Sequence, residues 1–229
     1  MTASSPSTVL PAALLLATPV AANTFPATVE VDLIFPRNDT YAPSTIFPIV
    51  FAFQNTALVP SLNPGLDVLL WDSTGNDVMA DQPYLILQWN NLSSHDPTYV
   101  YTYVVGLDTD GTGALVFAGG SRSTPVFFTI QSGAQQPDLA AAGGTAGCAD
   151  TSHFAFNLTG TLDVSFPAAH GGRNTCAVFS DAQPLVAGNP CAAQVSPDAA
   201  SSISAALTAT ACAGPRAGDK LRADEWCGC

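Results

Sequence analysis

Three histidines, His95, His153 and His170, are the side chains whose ordinary pKa suits proton transfer near neutrality. His170-Gly171-Gly172 has the outline of the oxyanion loop of some esterases. The Gly-x-Ser-x-Gly elbow that would expose a serine nucleophile is missing, and so is the strand–helix setting around it. A Ser-His-Asp triad assembles in space rather than in sequence, so residue types alone do not decide it. The expectation is a histidine in a surface loop. A glycosidase needs paired carboxylic acids, and the chain has two glutamates, Glu30 and Glu225. Alternation around Glu30 puts it on the solvent side of a strand, and Glu225 falls in the C-terminal tail. The aspartates sit mainly at turns.

Asp108-Thr109-Asp110-Gly111-Thr112-Gly113 begins like a calcium loop but lacks the third oxygen-bearing residue and the distal glutamate. Asp110-Gly111 fits a type I′ hairpin turn better. Cysteines can hold zinc, but the chain has no Cys-x-x-Cys pair, and Cys227-Gly228-Cys229 has no partner pair. No catalytic residue, metal ligand or cofactor is assigned from these patterns. The six cysteines fit disulfides instead, with Cys148–Cys176 and Cys191–Cys212 as the pairs expected from proximity.

Aromatic residues offer a different chemistry, because sugars stack on exposed planar rings. Tyr99, Tyr101 and Tyr103 alternate, so all three point to one side of a strand and could form a ligand platform. Packing in the core is the competing reading of this row, and Trp71 and Trp89 are read as core as well.

The elements that must position these groups are strands. In Val29-Glu30-Val31-Asp32-Leu33-Ile34-Phe35 the odd residues are apolar and the first even ones acidic, which predicts one buried and one wet face. Phe47 to Phe53 repeats the alternation. Further strand-like runs cover Leu66 to Trp71, Tyr84 to Trp89, Thr98 to Val105, Ala114 to Phe117, Pro125 to Gln131, Phe154 to Phe166 and Thr175 to Phe179. Turn signals separate them, with 18 glycines and 18 prolines in the chain. The pattern predicts an all-β, antiparallel sandwich. An Ala/Gly-rich loop near 133–147 precedes the cysteine-bearing part. A short helix is predicted over Ser196 to Leu207, with Ser196 as its cap and Pro197 and Asp198 in its first turn.

Residues 1–22 read as a signal peptide, with an apolar run over Val9 to Leu16 and small residues at Val20 and Ala22. Cleavage after Ala22 would expose Asn23, not the N-terminal histidine that copper-dependent polysaccharide oxidases use as a ligand. Asn38, Asn91 and Asn157 each begin a glycosylation triplet. Residues 23–212 then form one sandwich domain, and residues 213–229 a disordered tail. With 18 acids against 6 Lys and Arg, the formal charge is −12. No basic stripe exists for nucleic acid or anionic lipid. No second apolar stretch is long enough to cross a bilayer, and the C-terminus lacks a GPI-type hydrophobic tail.

VDLIFPRNDTYAPSTIFPIVFAFQN (Val31 to Asn55) resembles the opening signature of a family of secreted fungal proteins of unknown function. LILQWNNLSS (Leu85 to Ser94), FNLTGTLDV (Phe156 to Val164) and the Ser202 to Thr208 segment add to the resemblance. It implies an extracellular, immunoglobulin-like β-sandwich, often GPI-anchored, with no known catalytic residues. The stretch Phe35 to Pro43 is read as a connection crossing between sheets. The expected function is a glycosylated, non-catalytic interaction module of a fungal surface, its partner a wall polysaccharide or an extracellular protein. The alternative is a carbohydrate-active enzyme or accessory protein.

Overall fold

The computed structural model describes residues 24–62, 66–72, 74–77, 92, 95–119, 122–144, 147–164, 174–179 and 186–212. The expected signal peptide, the 213–229 tail, the strand over Tyr84 to Trp89, Trp89 itself, Asn91 and His170 lie outside the described residues. In chain order the elements are β1 (Ala27–Phe35), β2 (Thr40–Tyr41), β3 (Phe47–Gln54), α1 (Val59–Leu62), β4 (Asp67–Asp72), β5 (Thr98–Val104), β6 (Gly111–Gly119), β7 (Arg122–Ile130), α2 (Leu139–Ala142), β8 (His153–Asp163), β9 (Thr175–Phe179) and α3 (Pro197–Cys212).

Among the described residues the strands form two sheets, ordered β5-β3-β1-β8-β9 and β2-β7-β6-β4. Pairing is antiparallel except between β2 and β7, which run parallel. The odd residues of β1 and β3 face the second sheet, as the alternation predicts. Phe35, Phe47, Phe51 and Phe53 are at most 1% exposed. The Phe47 ring stacks on Phe128 of β7 with centroids 5.0 Å apart, and Tyr41 closes on Phe35 at 4.8 Å. Such rings carry much of a core's stability through buried area and offset contacts.

The even face of β1 differs from the expectation of a wet surface. Glu30 is 3% exposed and Asp32 is fully buried. β1 and β3 are covered on both sides, because α2 packs on β1, α3 packs on β5, and the two helices touch each other. Leu139, Val195, Ala200, Ile203 and Leu207 supply the apolar side of this third layer. The layer arises from the C-terminal third of the chain, so the alternation of β1 alone carries no trace of it.

Other expectations change in detail. Asp110-Gly111 is no hairpin turn, because β5 and β6 belong to different sheets. The segment is a link between sheets, and Asp110 accepts hydrogen bonds from the N–H and hydroxyl of Ser132, each at 2.7 Å. The Ala/Gly-rich loop holds the short helix α2, whose first turn is capped by the Asp138 carboxylate receiving Ala140 N–H at 2.9 Å and Ala141 N–H at 3.1 Å. The C-terminal helix starts as predicted, with Ala199 N–H donating to Ser196 Oγ, and runs on to Cys212.

The stretch Phe35 to Pro43 does cross between sheets: β1 lies in the first, β2 in the second and β3 in the first again. Arg37 N–H donates to Tyr41 Oη at 2.9 Å and the Arg37 guanidinium to Gly147 O at 2.6 Å, so the crossing is closed on itself and its start is tied to the turn before β8. Neither disulfide expected from proximity forms. Cys148 bonds to Cys191, with Cα atoms 5.0 Å apart, while Cys176 keeps a free, half-buried thiol. Cys212 is also disulfide-bonded. The observed bridge joins the turn before β8 to the segment under α3 and pins the third layer to the sheet. Proximity in sequence was the wrong guide, because β8 carries Cys148 and Cys176 to different places.

Candidate functional site

Period two in β1 places Glu30 and Asp32 on the same face of the strand. His153 opens β8 directly opposite Asp32, and Gln54 on β3 lies opposite Glu30. Register thus makes a cross-strand row of Tyr99, Ala52, Asp32 and His153. Ala52 leaves the room that the acids occupy. The ligand-type atoms of Glu30, Asp32 and His153 all lie within 4.8 Å of one another.

Each side chain has one polar atom tied to the scaffold. Gln54 Nε2 donates to Asp32 Oδ2 at 2.8 Å, and Asn189 N–H donates to Glu30 Oε2 at 2.7 Å. His153 Nδ1 lies 2.9 Å from the carbonyl of Thr151, which can only accept, so Nδ1 carries the hydrogen. Glu30 Oε1 and Asp32 Oδ1 are buried with no hydrogen-bond donor. Backbone 186–190 closes over the cluster. A Cβ on Gly188 would stand 2.6 Å from the Glu30 carboxyl carbon and 2.6 Å from His153 Cδ2, so only glycine lets the chain approach this closely.

Burial pushes the Asp32 carboxyl up to about 8; its hydrogen bond to Glu30 and the charge of Glu30 add to the rise, and the Gln54 amide opposes it. At neutral pH Asp32 therefore holds a proton, which it can donate towards Glu30. A proton is one answer to the orphaned oxygens and a cation is the other, since two carboxylates in contact need one of them in between. Chemically the arrangement can hold a proton or a metal ion, but the 186–190 backbone keeps a polymer from reaching it.

The sequence-predicted residues distribute differently. Tyr99, Tyr101 and Tyr103 share the even face beneath the third layer, not an open platform: Tyr103 is buried and Tyr99 donates to Gln194 O at 2.6 Å. Asn38 is exposed and Asn157 half-buried within β8. His95 is exposed and apart from the acids. Reading Glu30 as solvated missed the cluster. The missed signal is β3, whose even residues Pro48, Val50 and Ala52 are apolar too; a strand apolar on both faces implies a covered neighbour.

Among the described residues, the outer face of the second sheet carries two exposed aromatic side chains, and Phe179 of β9 is a third elsewhere. Trp71, expected in the core, is 46% exposed, and Phe127 is 56% exposed. They flank Ala114 in one row across β4, β6 and β7. Two strand spacings separate them by about 10 Å. Leu69, Val116 and Pro125 form the adjacent row.

Two facing sheets, a helical third layer and a buried carboxylate–imidazole cluster define a β-sandwich-type protein with an unusual polar centre. No curated protein and no solved structure matches the chain. The chain belongs to the family described as Domain of unknown function (DUF7136), which matches residues 24–117 and 108–221. Among the described residues no helix is long and apolar enough to cross a membrane.

Proposed function

We propose that this protein is a secreted, glycosylated, non-catalytic binding module of a fungal surface, and that its contact face is the outer side of the β4-β6-β7 sheet. The observation that carries this reading is the row Trp71–Ala114–Phe127, with both large rings solvent-exposed. A small residue between two rings leaves a shallow aromatic shelf, suited to consecutive hexose rings of an extended wall polysaccharide. The Cys148–Cys191 bridge fits an oxidising compartment, and the exposure of Asn38 fits a glycan acceptor. An immunoglobulin-like fold is part of the reading, supported by the chain passing from one sheet to the other and back through β2.

The test is co-sedimentation of the purified, tag-free protein with insoluble chitin, cellulose and β-glucan. Retention by one polymer that drops roughly tenfold in Trp71→Ala and in Phe127→Ala supports the shelf. Retention by none, or by wild type and variants alike, refutes it.

The Glu30–Asp32–His153 cluster favours a second reading, a carbohydrate-active enzyme whose 186–190 segment opens to admit substrate. A raised acid beside a second carboxyl is the arrangement general acid catalysis uses. Release of reducing ends that Asp32→Asn abolishes would establish it; absence of turnover on every polymer would remove it.

A further inference from the structure

Three side chains from two strands present a mixed oxygen and nitrogen donor set that the scaffold leaves incomplete. Glu30 is 3% exposed and Asp32 fully buried, yet Oε1 of the first and Oδ1 of the second receive no hydrogen bond from the surrounding scaffold, which leaves a proton or a cation between the acids to satisfy them. Both Glu30 Oε1 and His153 Cδ2 crowd the same point above Gly188 Cα, so the orphaned oxygen and the imidazole edge border the same small space. The histidine is oriented independently: Nδ1–H is committed to the Thr151 carbonyl at 2.9 Å, which leaves Nε2 as its ligand atom. A ring N–H held by a backbone carbonyl is the usual outer support of a metal-bound histidine. The carboxylates have equivalent supports in Gln54 Nε2 at 2.8 Å and Asn189 N–H at 2.7 Å. One atom of each group is anchored and one remains, and one ligand-type atom from each of the three residues lies within 4.8 Å of the others.

We propose that Glu30, Asp32 and His153 bind a divalent transition-metal cation, of the zinc or manganese kind, as a structural clamp. The imidazole selects against calcium and magnesium, which prefer oxygen donors alone. Zinc takes carboxylate and imidazole donors at about 2.0–2.2 Å, so small side-chain closure suffices to gather this set. Binding would displace the proton that otherwise sits between the two acids, and the ion would join β1 to β8. Through Glu30 and the Asn189 N–H it would also hold the 186–190 segment, next to the Cys148–Cys191 bridge.

The test uses tag-free full-length protein carrying Cys176→Ser, since the Cys176 thiol could take zinc by itself. After dialysis against EDTA, Zn²⁺ or Mn²⁺ is added, excess ion removed, and bound metal measured by elemental mass spectrometry and calorimetric titration. The expected result is one ion per chain, with affinity weakened about tenfold or more in Asp32→Asn and in His153→Asn. Wild-type protein should also melt higher with the metal than with EDTA. Failure of wild type to retain either ion, equal retention by folded Asp32→Asn, or an unchanged melting temperature would each overturn the proposal.

Discussion

Replacing Asp32 by asparagine should flatten the pH dependence of stability in the neutral range. The ordinary Asp value is 3.8, and in the fold Asp32 is pushed up to about 8. Between these values the folded chain keeps a proton that the unfolded chain has released. Stability from this group is therefore complete below pH 3.8, falls as pH rises through the window, and levels off above 8. The slope is about 1.4 kcal/mol per pH unit, so pH 5 to pH 8 removes about 4 kcal/mol. For a domain of this size that corresponds to a fall of roughly 10 °C in melting temperature. Asparagine has the shape of the protonated acid: its carbonyl can accept from Gln54 and its amide can donate to Glu30, but it does not titrate. The assay is urea unfolding followed by tryptophan fluorescence at half-unit pH steps, with EDTA present to remove any cation. Wild type should lose about 4 kcal/mol relative to Asp32→Asn across the window. Parallel curves for the two proteins would refute the assignment of a buried proton to Asp32.

Gly188→Ala should destabilise the fold by about 2 kcal/mol, since the new Cβ overlaps the Glu30 carboxyl and the His153 ring; denaturant midpoints report this, and a neutral result would mean the segment has slack. Removing the bridge with Cys148→Ala and Cys191→Ala should cost about 4 kcal/mol on loop-entropy grounds for cysteines 43 residues apart. Amide exchange in 186–195 should accelerate in that variant, and unchanged protection there would show that the third layer holds without the bridge.

Strand positions were legible because they depend on local pattern: β1 and β3 fall where period two places them, and β4 to β9 overlap the further strand-like runs. The sheet crossing at Phe35 to Pro43 was legible from its prolines and turn residues. The polar cluster was not, because its members come from β1 and β8, more than a hundred residues apart, and none sits in a local motif. Its burial depends on a layer built from α2, α3 and the segment between β9 and α3. Trp71 was misread for the opposite reason: size argues for the core, while position in the pleat assigns it to the outer face. The disulfide pairing follows tertiary placement, so sequence distance gave both partners wrongly.

The place of β1 in its sheet has a consequence for synthesis. β1 emerges among the first elements, yet it sits at the centre of the order β5-β3-β1-β8-β9. While the ribosome is still adding residues, β1 can pair with β3 but presents its other edge, and both carboxyls, to the exit environment. An open edge of this kind invites pairing with a neighbouring nascent chain. Only when His153 and the strand behind it leave the tunnel does that edge close. Completion of this sheet thus waits for β8, and translation halted before β8 would release a chain with its central strand half-paired.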